Sequence, residues 1–202
     1  MDGDDVRVAA ASSRAALEPM TGRDWTAAAG DLQLSVAEVV AHVGETLLRY
    51  ATDLAAGPAA VPTMELRVRP SAPPAALLAT VVTAADVLAA VLDAAPPGAR
   101  GFHPAGTADT SGFAAMACDE LLVHTDDAAR GLGLVFEPDV RLAGHTLRRL
   151  FPWAPTDGRS WPALRWANGR APLGERPRLS EWYWHCAPIE EWDGTAPGFL
   201  GR

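Results

Sequence analysis

The tetrad Ser35-Val36-Ala37-Glu38 constrains this chain more than any other local feature. A serine followed three residues later by a glutamate is a capping box. The hydroxyl accepts from the Glu38 N–H, and the Glu38 side chain reaches back to the N–H of the cap. Beyond it, Val39, Val43, Leu47, Tyr50 and Leu54 fall on one helical face until Gly57-Pro58 stops the helix. A helix of that length with one apolar stripe has to pack against others, and the first 150 residues supply them. One is predicted from about Asp4 to Leu17, ending before Pro19. Another has Pro74 in its first turn, carries Leu77, Val81, Leu88 and Leu92, and ends at Pro96-Pro97-Gly98. A fourth, capped by Thr110 or Ser111, lasts to Gly131, and a shorter one runs from Pro138 to Leu150. The pattern predicts a mainly α protein built on a four-helix bundle.

After Phe151 the texture changes. Six of the seven tryptophans lie between Trp153 and Trp192. Asn168-Gly169 is a two-residue hairpin signal, and Trp182, Trp184 and Cys186 alternate with Glu181, Tyr183 and His185 as on a strand. The expected division is therefore a bundle over residues 1–150 and a short Trp-rich β extension over residues 151–202, two or three strands packed on it. Those tryptophans suit an apolar plug that closes the end of the bundle, or a platform for a flat substrate.

Composition narrows the function. The formal charge is −8 and no cluster of basic residues is dense enough to follow a phosphate backbone, so nucleic-acid binding is not expected. No uncharged apolar run is long enough to span a bilayer, and the acidic start lacks the basic region of a secretory signal. Two cysteines are too few for a disulfide framework and fit a reducing, cytoplasmic setting. The 40 alanines and the absence of lysine read as coding bias.

Chemistry concentrates on the fourth helix, where Phe113, Ala117, Glu120, Leu121, His124 and Ala128 share a face. Glu120 and His124 stand one turn apart, and a carboxylate and an imidazole in an apolar stripe must be satisfied by something. His42 lies beside the stripe of the second helix, so two facing helices can bring His42, Glu120 and His124 to one point. Two imidazoles and a carboxylate with an open fourth position is the pattern of a catalytic zinc site; nickel, iron(II) or manganese suits the same donors. The alternative is a surface pair or a buried histidine bonded to a carboxylate. Asp127 reads either as a group that orients a ligand histidine or as a partner of Arg130. His103 is assigned to a structural or substrate loop, and His145 to solvent. His185 reads as a satisfied surface residue, Cys118 points away from Glu120, and Cys186 is a small core residue.

These residues also carry a resemblance. Asp24-Trp25, Asp31-Leu32 and the run Val36 to Val43, which contains His42, look like the entry to the second helix of the DinB-like superfamily. Asp119 to Ala128 resembles the Glu-x3-His-x2-Asp-Ala signature of the N-terminal domain of mycothiol-dependent maleylpyruvate isomerases. The resemblance covers roughly residues 5 to 150. It implies an up-down-down-up bundle holding a divalent metal, usually zinc, on His42, Glu120 and His124, with Asp127 as an orienting residue. It also implies a metal-dependent enzyme of the mycothiol-dependent S-transferase or isomerase type, and the arginine-rich, alanine-rich, lysine-free composition suits an actinobacterial source, where mycothiol is available. In such an enzyme mycothiol or a similar low-molecular-weight thiol, bound to the metal as thiolate, attacks a small electrophile. A metal-dependent hydrolase that activates water on the same site, and a non-catalytic binding protein stabilised by the metal, are the alternatives. The sequence leaves the oligomeric state open, with a homodimer as the general prior for a soluble enzyme. The chain departs from the family's isomerases in its short, Trp-rich C-terminal part, and it has Thr125-Asp126 where they more often have Arg then Trp.

Overall fold

Asp2 caps the first helix, α1 (Gly3–Leu17), with a capping box closed by Asp5, and a 3-10 turn at Glu18–Met20 ends it. The structure, a computed structural model, describes residues 1–156 and 158–197. Helix α2 (Val36–Ala56) starts at the Ser35–Glu38 capping box and α3 (Pro74–Ala94) at Pro74. Two short antiparallel strands, β1 (Arg100–Gly101) and β2 (Ala108–Asp109), lead into α4 (Thr110–Gly131). The cap of α4 is Asp109, whose carboxylate accepts from Gly112 N, and not Thr110 or Ser111. An acidic side chain also suits the positive end of the helix dipole.

Helices α1 and α2 each pack against both α3 and α4. The contacts set the directions. Met1 reaches Ser111 and Ser13 reaches Leu121, so α1 and α4 run parallel. Gly3, at the start of α1, sits on Ala89 and Asp93 near the end of α3, so these two are antiparallel. Gly131, ending α4, touches Val36, while Leu54, ending α2, sits near Phe113 beside Gly101. The order is up-down-down-up. The parallel α2 and α3 need a crossover, and residues 57–73 run back along α2, where Glu45 Oε1 accepts the Val68 N–H at 2.8 Å.

Helix α3 is long and apolar enough to cross a membrane by length and composition alone, with a mean hydropathy of 2.2 over 18 residues. In the fold Leu77, Val81, Ala85, Leu88 and Leu92 bury one face of it in the bundle core. The core also holds Leu47, Phe113, Met116, Leu121 and Leu122, and full burial of each such side chain stabilises by about 1.5–3 kcal/mol.

Among the described residues of the expected β extension no strand is formed, and residues 157 and 198–202 of that expectation lie outside them. Helix α5 (Val140–Leu150) packs on α4, and residues Ser160–Ala167, which precede the expected hairpin turn, are a helix, α6, packed on α5. Asn168-Gly169 ends α6 in place of turning a hairpin. Gly169, at φ +63°, donates to Trp166 O, and Arg170 N donates to Arg165 O, both at 2.8 Å. This is a Schellman cap, which asks for the same left-handed residue as the hairpin turn does. The stretch around Trp182, Trp184 and Cys186 is irregular and finds its partners on helices: His185 N donates to Leu150 O, and Arg149 donates to His185 O and Cys186 O. Of the six late tryptophans, Trp161 and Trp166 are buried in the common core, whereas Trp182 is 38% exposed.

Candidate metal centre

Three side chains converge between α2 and α4. His42 comes from the second turn of α2, Glu120 and His124 from successive turns of α4, and one donor atom from each lies within 4.8 Å of the others. Glu120 Oε2 is 3.2 Å from His124 Nε2 and 3.5 Å from His42 Nε2. The imidazole rings meet edge to face, 5.3 Å apart. The cluster is closed toward the core and open on one side: the Glu120 side chain is 9% exposed and that of His42 48%.

Hydrogen bonding divides the Glu120 carboxylate. Its Oε1 accepts from the Tyr50 hydroxyl at 3.4 Å, whereas Oε2 is buried without a hydrogen-bond partner despite the two nearby nitrogens. A buried carboxylate oxygen left this way costs free energy unless something else satisfies it. Two imidazole nitrogens and that oxygen, aimed at a shared space, fit a divalent cation with room for a further ligand. The donor set suits zinc and also other first-row divalent ions.

The electrostatics follow the same geometry. Burial would raise the pKa of the Glu120 carboxyl, but the His124 and His42 imidazoles hold it well below the usual range. Burial would lower that of His124, but Asp127 and Glu120 reverse the effect and push it up to about 9. Asp119 is pushed up to about 7 by burial, with Asn168 and Trp184 offsetting part of that cost. Burial places the Tyr50 hydroxyl well above its ordinary value.

Asp127 is fully buried and contacts both His124 and Arg130. Its Oδ2 contacts His124 Nδ1 at 3.1 Å, and its Oδ1 accepts from Arg130 Nη2 at 2.9 Å. A proton held on Nδ1 leaves the His124 Nε2 lone pair facing the cluster, the usual arrangement of a ligand histidine.

Of the other histidines, His103 stands beside the site, its ring 5.7 Å from both Tyr50 and Trp184. Burial lowers its pKa against the pull of Glu120. His145 is exposed, and His185 is satisfied by Pro188 O. Cys118 is fully buried, with burial raising its thiol pKa, and the Cys186 thiol donates to Gly106 O.

Sequence reasoning missed the surroundings of the cluster. Asp119, Glu120 and His124 share a cavity of about 30 Å³ with Asn168, Arg170, Trp182 and Trp184. Asn168 Nδ2 and Trp184 Nε1 donate to the two oxygens of Asp119, at 2.8 and 2.9 Å. Tyr50 was legible as a polar tip on an apolar stripe. Nothing in the spacing linked residues 168–184 to α4.

Fold and site together define a helical-bundle protein with a candidate metal centre between its second and fourth helices. The chain belongs to the mycothiol maleylpyruvate isomerase N-terminal domain family, matched over residues 6–129, and through it to the DinB-like superfamily. No curated protein and no solved structure matches the chain.

Proposed function

We propose that this protein is a metal-dependent, thiol-using enzyme of the S-transferase or isomerase type. Its co-substrate is mycothiol or a similar low-molecular-weight thiol, and its substrate a small electrophile. The observation that carries this reading is the convergence of His42, Glu120 and His124 on one point, at a site open beside His42. A structural zinc is usually closed by four protein ligands, and three leave a position for chemistry. Membership of a family described by mycothiol and isomerisation favours a thiol at that position.

When bound, a divalent ion, zinc on this reading, supplies Lewis acidity that favours the ionised form of a thiol near neutral pH. The chain's own residues bind and orient. His42, Glu120 and His124 are the ligands. Tyr50 holds one oxygen of Glu120 so that the other faces the cluster. Asp127 touches His124 and not the open position, so it is a positioning residue. Trp182 and Trp184 line the cavity beside Asp119 and Glu120, and the Trp184 indole N–H donates to Asp119.

The test is elemental analysis of the purified protein beside a Glu120→Ala/His124→Ala variant that still folds. About one zinc per chain is expected in the wild type and none in the variant. The loaded protein should then consume a small electrophile only when a thiol is supplied. Lack of stoichiometric metal after zinc is supplied at neutral pH would refute the reading. Turnover without thiol would point to a hydrolase working through activated water.

A further inference from the structure

The family match ends at residue 129, yet the acidic residues that flank the proposed ligands are held from beyond it. Asp127, which contacts His124, receives Arg170 Nε at 3.1 Å on each oxygen, with Arg170 Nη2 3.0 Å from Oδ2. Arg170 Nη1 donates to Asn168 O at 3.1 Å, which seats the guanidinium against the cap of α6. Asp119, next to Glu120 in the chain, is held by Asn168 and Trp184 of the same segment.

From this arrangement we propose that Arg170 is a positioning residue for the metal centre, acting through Asp127 to fix the ring of His124. The inference rests on the reading of His42, Glu120 and His124 as ligands. Its physical basis is the burial of Asp127. A carboxylate with no exposure stays ionised only when it is paired, and two guanidiniums pair it, Arg130 from its own helix and Arg170 from the segment after the bundle. Arg170 lies across both carboxylate oxygens and so sets the plane of the group that His124 Nδ1 meets. Arg130 is 2.9 Å from Oδ1 and is shared with Asp31 and Asp126. If Arg170 is lost, Asp127 is free to turn toward Arg130, and the His124 ring loses the acceptor that orients its Nε2.

The segment provides its own control. Arg165, on α6, forms an ion pair with buried Asp126 at 3.1 Å, and among the described residues the ion pairs of Asp126 are with arginines and not with the three ligands. Arg165→Gln therefore removes an ionic tie between the same segment and the bundle without removing the Asp127–His124 contact.

The experiment is zinc affinity, measured by competition with a chromophoric chelator, on wild type, Arg170→Gln, Arg170→Lys, Arg165→Gln, Asp127→Asn and the Arg170→Gln/Asp127→Asn double variant. Loss of a group that orients a metal ligand typically weakens binding about 10–100-fold. Arg170→Gln should weaken zinc binding about tenfold, and Arg170→Lys, which keeps the charge but not the fork, should recover part of it. Arg165→Gln should bind as wild type does. In the Asp127→Asn background Arg170→Gln should cost nothing further, because its effect runs through Asp127. Wild-type affinity in Arg170→Gln, an equal loss in Arg165→Gln, or an additive double variant would each overturn the proposal while leaving the metal centre intact. A wild-type protein that binds no zinc would overturn the metal reading, and the proposal with it.

Discussion

Zinc binding should be strongly pH-dependent between pH 7 and 9, and the size of the effect follows from His124. In the metal-free protein its imidazole lies between the carboxylates of Asp127 and Glu120, which push its pKa up to about 9. A metal ion needs Nε2 without its proton. At pH 7, about two units below that value, roughly 99% of the molecules carry the proton that must leave. Displacing it costs about 2.7 kcal/mol, or about a hundredfold in apparent Kd relative to pH above 9. The expected result is affinity that rises about tenfold per pH unit up to pH 9 and then levels. Chelator competition at several pH values measures the slope, and calorimetry in two buffers of different ionisation enthalpy counts the proton released at pH 7. In Asp127→Asn one of the two raising carboxylates is gone, so the levelling point should move to lower pH. Affinity that is flat from pH 7 to 9, with no proton released, would refute the reasoning.

The same groups make the metal-free fold weaker as pH rises. Asp119, raised to about 7, binds a proton in the folded state that the unfolded chain has already lost, so stability falls from about pH 4 to 7. His124 contributes stability that is present below its unfolded value of about 6.5 and lost as pH rises through about 9. Urea denaturation across this range should show both declines, and Asp119→Asn should flatten the first. Trp184→Phe removes the N–H that serves Asp119 Oδ2 and should cost about 1–3 kcal/mol, more at pH 8 than at pH 5; an equal cost at the two pH values would contradict the assigned contact. Gly169→Ala forces a side chain into the left-handed region at the α6 cap, with Leu179 O 2.8 Å from the new Cβ, and should destabilise by about 1–2 kcal/mol in the same assay. Leu88→Ala, in the fully buried stripe of α3, should cost about 2–5 kcal/mol, whereas Ser35→Ala at the helix cap should cost about 1.

The legibility of the chain varied with the range of the interactions. The Ser35–Glu38 capping box, Pro74 at the start of α3 and the stop at Gly57-Pro58 are local chemistry, and the helices begin and end where these residues put them. His42, Glu120 and His124 were legible as a set because each lies on or beside an apolar stripe at helical spacing, where a polar group needs a reason. Asn168-Gly169 misled because a hairpin turn and a helix C-cap both require a residue at positive φ. Only the contacts that follow distinguish them, and here Leu164 and Trp166 are buried against the bundle as a helix.

What the sequence determined by itself was therefore the helices of the bundle, most of their ends and the polar residues on their apolar stripes, since each rests on spacings of one to four residues. Tertiary structure decided the rest. It turned the expected strands after residue 151 into a helix and an irregular strap, brought Arg170 across the chain onto Asp127, and set Asn168 and Trp184 on Asp119. Those partners are 43, 49 and 65 residues apart in the chain. No helical or strand period spans such a distance. They meet because packing α6 against α5 buries tryptophans and carboxylates together, and each buried polar group then has to find a partner.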